Sequence, residues 1–122
     1  MRRLTPKEEE IMHILWRLGK GYVKNILAEL PSPKPSYNTI STIVRILEKK
    51  GFIGHRAYGN TYEYFPLIEK EKYTRQYMRS IVRDYFGNSY HELVSFFARD
   101  ENIDLEDLEQ MLTKIREQRK NG

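Results

Sequence analysis

A chain of 122 residues holds one core of ordinary size, or a small domain with an appendage, and excludes two large domains. It contains no cysteine, which rules out disulfides, thiolate zinc sites and cysteine nucleophiles. The formal charge of +4 is unevenly spread: residues 1–66 carry 11 Lys and Arg against 6 Asp and Glu, and residues 67–122 carry 10 against 11, so the positive field belongs to the first half.

The opening "MRRLTPKEEE" turns acidic where a signal peptide needs its apolar stretch, and no apolar run approaches the roughly 18 residues of a membrane span. The expectation is a soluble cytoplasmic protein with no membrane insertion.

Thr5, Pro6 and Glu8 form a helix start: Thr5 as N-cap, Pro6 at the first helical position, and Glu8 reaching back as a capping box. Ile11, Leu15 and Leu18, with Ile14 and Trp16 alongside, predict the buried side of this first helix, and Gly19 ends it. A second apolar pattern, Val23, Ile26, Leu27 and Leu30, runs into "PSPKPS", whose prolines stop a helix and favour an extended connection. Ser36 is then a good N-cap for a third helix that Gly51 terminates.

In that third helix Ile40, Ile43, Val44 and Leu47 share one face. Asn38, Thr42, Arg45 and Lys49 fall opposite, with Ser41 on the edge, and none of them is acidic. An ordinary solvated face mixes its charges, whereas hydroxyls, amides and cations are the groups that read base edges and hold phosphates. Lys49 and Lys50 also suit the negative end of the helix dipole, so their presence has a structural explanation too.

From Phe52 the period changes from near 3.6 to 2. "FIGHRA" and "TYEYF" predict two short strands joined through a turn of Tyr58, Gly59 and Asn60. Three helices followed by a hairpin is the order of a winged helix-turn-helix, with residues 1–67 as a DNA-binding domain. On the wing, Arg56 and Tyr58 are candidate contacts to the DNA backbone or minor groove.

Residues 68–122 predict three helices. Tyr73, Tyr77 and Ile81 run in parallel with Met78, Val82 and Tyr85 at helical spacing, up to Gly87. Ser89 and Glu92 suggest a capping box before Leu93, Val94, Phe96 and Phe97. Asp104 caps a last helix whose Leu105, Leu108, Leu112 and Ile115 form a heptad-like seam. Such helices are too short and too apolar to stand alone. The fold class expected is therefore mainly α with a small β-hairpin: an N-terminal winged helix-turn-helix and a C-terminal helical dimerisation arm, with Tyr77, Ile81, Leu93, Phe96, Phe97, Leu108, Leu112 and Ile115 as its contact residues.

Catalytic signatures are missing. "HELVS" lacks the second histidine of a zincin helix, and His13, His55 and His91 have no metal-ligand spacing. No nucleophile elbow or phosphate-binding glycine loop occurs, so neither an enzyme nor a bound cofactor nor a metal is expected.

Several stretches, in order, resemble the bacterial penicillinase and methicillin-resistance repressors, which are grouped with copper-transport repressors. These are "LTPKEEEIMHILW", "TISTIVRILEKKGFI", "YEYFPLI" and "ELVSFFARDENID". The resemblance covers almost the whole chain. It implies a homodimeric winged-helix repressor on a dyad operator of double-stranded DNA, often with TACA and TGTA half-sites, and recognition contacts at Ser36, Asn38, Thr39, Thr42 and Arg45. Several relatives carry a basic residue at Asn38 and an arginine at Ser41, so the operator does not transfer unchanged. Members induced by β-lactams are cut at an Asn-Phe bond under the control of a membrane sensor metalloprotease. The matching bond here joins Phe96 to Phe97, so Asn is replaced. The copper-responsive members use a cysteine-rich tail, which this chain lacks. Two other readings stay open: a winged helix that docks on an acidic protein partner, and a DNA-binding regulator controlled by a small ligand.

Overall fold

A computed structural model describes residues 3–101 and 103–121. Among the described residues the chain forms α1 (Pro6–Leu18), α2 (Val23–Glu29), α3 (Tyr37–Lys49), β1 (Ile53–Tyr58), β2 (Thr61–Pro66), α4 (Lys70–Phe86), α5 (Tyr90–Asp100) and α6 (Leu105–Asn121). The fold is mainly helical with one antiparallel hairpin, and its first five elements follow the winged helix-turn-helix order. Two compact units, Met1–Tyr77 and Met78–Gly122, meet within α4.

The helix starts are local chemistry. Thr5 Oγ1 accepts the Glu8 N–H at 3.2 Å while Glu8 Oε1 accepts the Thr5 N–H at 2.8 Å, the reciprocal capping box that the sequence predicts. Ser36 Oγ likewise accepts the Thr39 N–H at 3.1 Å, Ser89 the Glu92 N–H at 3.1 Å, and Asp104 Oδ1 the Asp107 N–H at 2.8 Å. The end of α2 is closed differently. The Lys34 ammonium donates to the carbonyls of Leu27, Ala28 and Leu30 at 2.9, 3.0 and 2.6 Å, so a cation from the proline-rich connection satisfies groups the helix leaves unpaired.

The core of the first unit is Ile11, Met12, Ile14 and Leu15 from α1, Val23 and Ile26 from α2, Ile40, Val44 and Leu47 from α3, and Phe52, Ile53 and Tyr64 from the hairpin. Burying each of the larger aliphatic side chains contributes about 1.5–3 kcal/mol. Leu18, expected on the buried side of α1, is 39% exposed, because the stripe runs past the core in the last turn before Gly19 (φ 84). Leu4 and Met12 take core places instead.

The hairpin is tighter than expected. Tyr58 belongs to β1, paired with Thr61, which leaves Gly59 and Asn60 as a two-residue loop. Gly59 takes φ 61, the left-handed value that primed hairpin turns need. Gly21 adds a bridge to Tyr64 through N–H···O bonds of 2.9 and 2.8 Å, so the chain between α1 and α2 tethers β2. Gly51 (φ 86) follows the end of α3, whose capping position is Lys50.

The first turns of α4 belong to this unit. Trp16 Nε1 donates to the Ile68 carbonyl at 2.8 Å, and Tyr73 sits 5.8 Å from both the Trp16 and Phe52 rings. The Tyr73 hydroxyl accepts the Leu4 N–H at 3.3 Å. Tyr77 packs against the same core. The second unit is of another kind. Within 78–122, Val82 is the one buried hydrophobic among the described residues, while Tyr85, Tyr90, Val94, Phe96, Phe97, Leu105, Met111, Leu112 and Ile115 are exposed.

Candidate nucleic-acid interface

The two faces of α3 separate as their chemistry demands. Ile40, Val44 and Leu47 are at most 2% exposed, and Asn38, Thr39, Thr42, Arg45 and Lys49 are open to solvent. Asn38, Thr42, Arg45 and Lys49 recur at intervals of four, three and four along one stripe. Ser41 is half-buried on its edge.

Hydrogen bonds divide the stripe further. The Thr42 hydroxyl donates to the Asn38 carbonyl at 2.9 Å, which leaves its methyl as the group it offers outward. Ser36 and Thr39 hold their hydroxyls 2.9 Å apart at the helix start, where Ser36 also serves as the cap. Asn38, Ser41, Arg45 and Lys49 have no side-chain hydrogen bond or ion pair among the described residues.

The cations of the first unit likewise sort by partner. Arg17 pairs with Glu29 at 3.0 Å, and Lys50 reaches across to the buried Glu8 carboxylate at 2.8 Å. Burial pushes the Glu8 carboxyl up, but the hydrogen bonds from Lys50 and Thr5 outweigh it and hold the group below its ordinary value. Lys50 is thus a structural strut from α1 to the end of α3, whereas its neighbour Lys49 points to solvent.

Glu48 is the sole acid of α3, and His55 of β1 takes it through Nδ1. The His55 ring stacks on Tyr62 of β2 at 4.2 Å and 24°. The wing is therefore bound to the helix through Glu48, His55 and Tyr62 in succession. Below them the Tyr64 phenol is raised above its ordinary pKa by burial, with the Glu48 carboxylate acting in the same direction.

Strand register settles which wing residues share the side of α3. His55 opposes Tyr64 and Ala57 opposes Tyr62, so these lie on the face that carries the buried Ile53 and Tyr64. Arg56 opposes Glu63 and Tyr58 opposes Thr61 on the other face, where the Arg56 guanidinium lies 6.0 Å from the Phe65 ring. Arg56 and Tyr58 are exposed at the wing but are not gathered with the α3 stripe. The residues that are gathered with it, Lys24 on α2, Tyr37 on α3 and Tyr62 on β2, carry no periodic signal, since tertiary folding alone brings these elements to one groove.

Comparison with known proteins agrees with this geometry. The chain is 25% identical over 109 residues to the methicillin resistance regulatory protein MecI of Staphylococcus aureus (strain N315), covering 88% of this chain and 89% of that protein. It is 24% identical over 120 residues to the penicillinase repressor of Bacillus licheniformis, covering 98% and 93%. The solved DNA-binding domain of the repressor BlaI superposes with a TM-score of 0.51 at 28% identity, over 60% of this chain and 94% of that domain. A family model described as penicillinase repressor matches residues 4–117, and the chain belongs to that family, one of repressors and not of enzymes.

Proposed function

We propose that this protein is a cytoplasmic homodimeric transcriptional repressor that reads a palindromic operator in double-stranded DNA, with α3 in the major groove and the hairpin as its wing. The observation that carries the reading is the acid-free stripe of α3, exposed along its length and rigidly backed by a fully buried opposite face. On it, Asn38 has the amide geometry to pair with adenine, the outward Thr42 methyl suits a thymine methyl, and Arg45 suits guanine or a phosphate. Ser36, Thr39, Ser41 and Lys49 flank these as phosphate contacts, and Arg56 and Tyr58 reach the backbone from the outer face of the wing.

The apolar surface of the second unit supports the dimer. Phe96, Phe97, Leu112 and Ile115 are each 41–51% exposed, and Ile81, Leu93 and Leu108 are half-buried, a burden that a second copy would cover. Tyr77 contributes from the base of α4, where it is packed on the first unit. Each protomer then reads one half-site, and derepression follows from proteolysis of the arm at Phe96–Phe97, directed by a membrane sensor metalloprotease. No helix among the described residues is long and apolar enough to cross a membrane, so a sensor in the membrane would be a separate protein.

The test is capture of genomic fragments by the full chain at near-physiological salt, with an Asn38→Ala, Arg45→Ala variant in parallel. Enrichment of short dyads that the variant loses supports the reading. A folded wild-type protein that enriches no dyad refutes it.

A further inference from the structure

Between the wing and α3 lies a groove of about 490 Å³. Its walls include Lys24, Tyr37, Ser41, Arg45 and Tyr62, and no acidic residue lines it. Lys24 and Arg45 have no carboxylate partner among the described residues, in contrast to Arg17 and Lys50, whose charges are engaged within the protein. Tyr37 and Tyr62 are about half exposed, at 54% and 48%, yet Tyr62 is held by its stack on His55. Phenols fixed in place beside two uncompensated cations make a surface for an anionic, hydrogen-bond-accepting chain. The nearest carboxylate of α3, Glu48, is engaged by His55.

We infer that this groove grips the sugar-phosphate backbone of one DNA strand beside the half-site read by α3. Lys24 supplies the charge, and the Tyr37 and Tyr62 hydroxyls donate to phosphate oxygens. The inference rests on the DNA-binding reading above and adds Lys24, Tyr37 and Tyr62 to it. It gives α2 and the inner face of the wing a positioning role: they set the angle at which α3 enters the groove, without reading bases. Because His55 joins Tyr62 to Glu48, the clamp and the recognition helix move as one body.

Fluorescence anisotropy with the full chain tests this on two labelled duplexes, one carrying dyad-related TACA and TGTA half-sites and one scrambled duplex of equal length. Lys24 is exposed on α2, so Lys24→Ala leaves the melting curve unchanged. One lost phosphate contact should weaken binding to both duplexes roughly fivefold at 0.15 M salt and flatten the slope of log affinity against log salt by about 0.9. Tyr62→Phe keeps the stack and loses the hydroxyl, so it should weaken both by about fivefold with the slope intact. Wild-type affinity and slope in both variants overturn the inference while leaving α3 as the DNA reader. Failure of the wild-type protein to bind either duplex overturns the DNA-binding reading and this one with it.

Discussion

Replacing Lys50 by methionine removes an ammonium and keeps its aliphatic stem. The Glu8 and Lys50 side chains are 5% and 19% exposed, and their charged atoms are 2.8 Å apart. At an effective dielectric constant of about 20, the gross attraction at that distance is on the order of 6 kcal/mol. Desolvation offsets part of it, and removing one partner of such a pair typically destabilises by about 3–5 kcal/mol. Water reaches part of Lys50, so the lower figure applies. Lys50→Met should therefore lose about 3 kcal/mol, measured by urea unfolding of the full chain at fixed protein concentration. Adding Glu8→Gln removes the stranded charge, and glutamine still accepts the Thr5 N–H of the capping box. The double variant should thus be more stable than Lys50→Met alone. A single-variant loss under about 1 kcal/mol, or strictly additive losses in the double variant, would refute the account of Lys50 as a strut.

Proton linkage supplies a second check on the same pair. Because the folded-state pKa of Glu8 lies below its ordinary value of 4.5, its contribution is fully present above that value and is lost as pH falls through the folded pKa. In Lys50→Met the hydrogen bond and the charge that lower the group are gone, and burial pushes the carboxyl upward. The variant accepts its proton at higher pH, so the stability gap to wild type should narrow as pH falls below 4.5. A gap constant with pH would place the loss elsewhere.

Arg45→Ala should weaken binding to dyad DNA by about 1–3 kcal/mol while leaving scrambled DNA nearly unaffected, whereas Lys49→Ala should weaken both and flatten the salt slope. Equal, sequence-independent losses would mean that Arg45 reads no base. Leu112→Glu with Ile115→Glu, at positions about half exposed, should convert the dimer to monomers in sedimentation velocity. A dimer that survives both charges is built on another surface. In cells carrying the membrane sensor, inducer should shorten the intact chain to a fragment ending at Phe96, detected by mass spectrometry, and intact protein that persists at the uninduced rate would rule that route out.

What was legible in the sequence was whatever has a local cause. Thr5, Ser36, Ser89 and Asp104 act as caps because an N-cap needs only a short polar side chain and the backbone two or three residues on. The α3 stripe was legible because one period sorts both its faces. Periodicity does not say where a stripe leaves the core, and so Leu18 was misplaced and Met12 missed. Nor does it reveal partners that are distant in sequence. Glu8 and Lys50 are 42 residues apart, and the Gly21 bridge to Tyr64 joins a residue before α2 to the far strand of the wing. The role of Lys24 was invisible for the same reason, since only the folded chain places α2 beside the wing.

The contrast between the two units bears on how a cut far from α3 could release DNA in the proposed mechanism. The first unit carries its own core, and its α3 stripe is positioned by Val44, Leu47 and the Lys50 strut, none of which depends on residues beyond Tyr77. The second unit buries little besides Val82, and helices of 11 and 17 residues such as α5 and α6 are marginal in isolation. Its folding and its association with a second copy are therefore one equilibrium. Cleavage between Phe96 and Phe97 detaches α6 and the end of α5, taking Leu112 and Ile115 with them, and so removes most of the apolar surface that would hold two copies together. Each winged helix would remain intact, but it would bind a single half-site without the effective concentration its linked partner provided. Repression would then be lost through avidity, with every base contact on α3 unchanged.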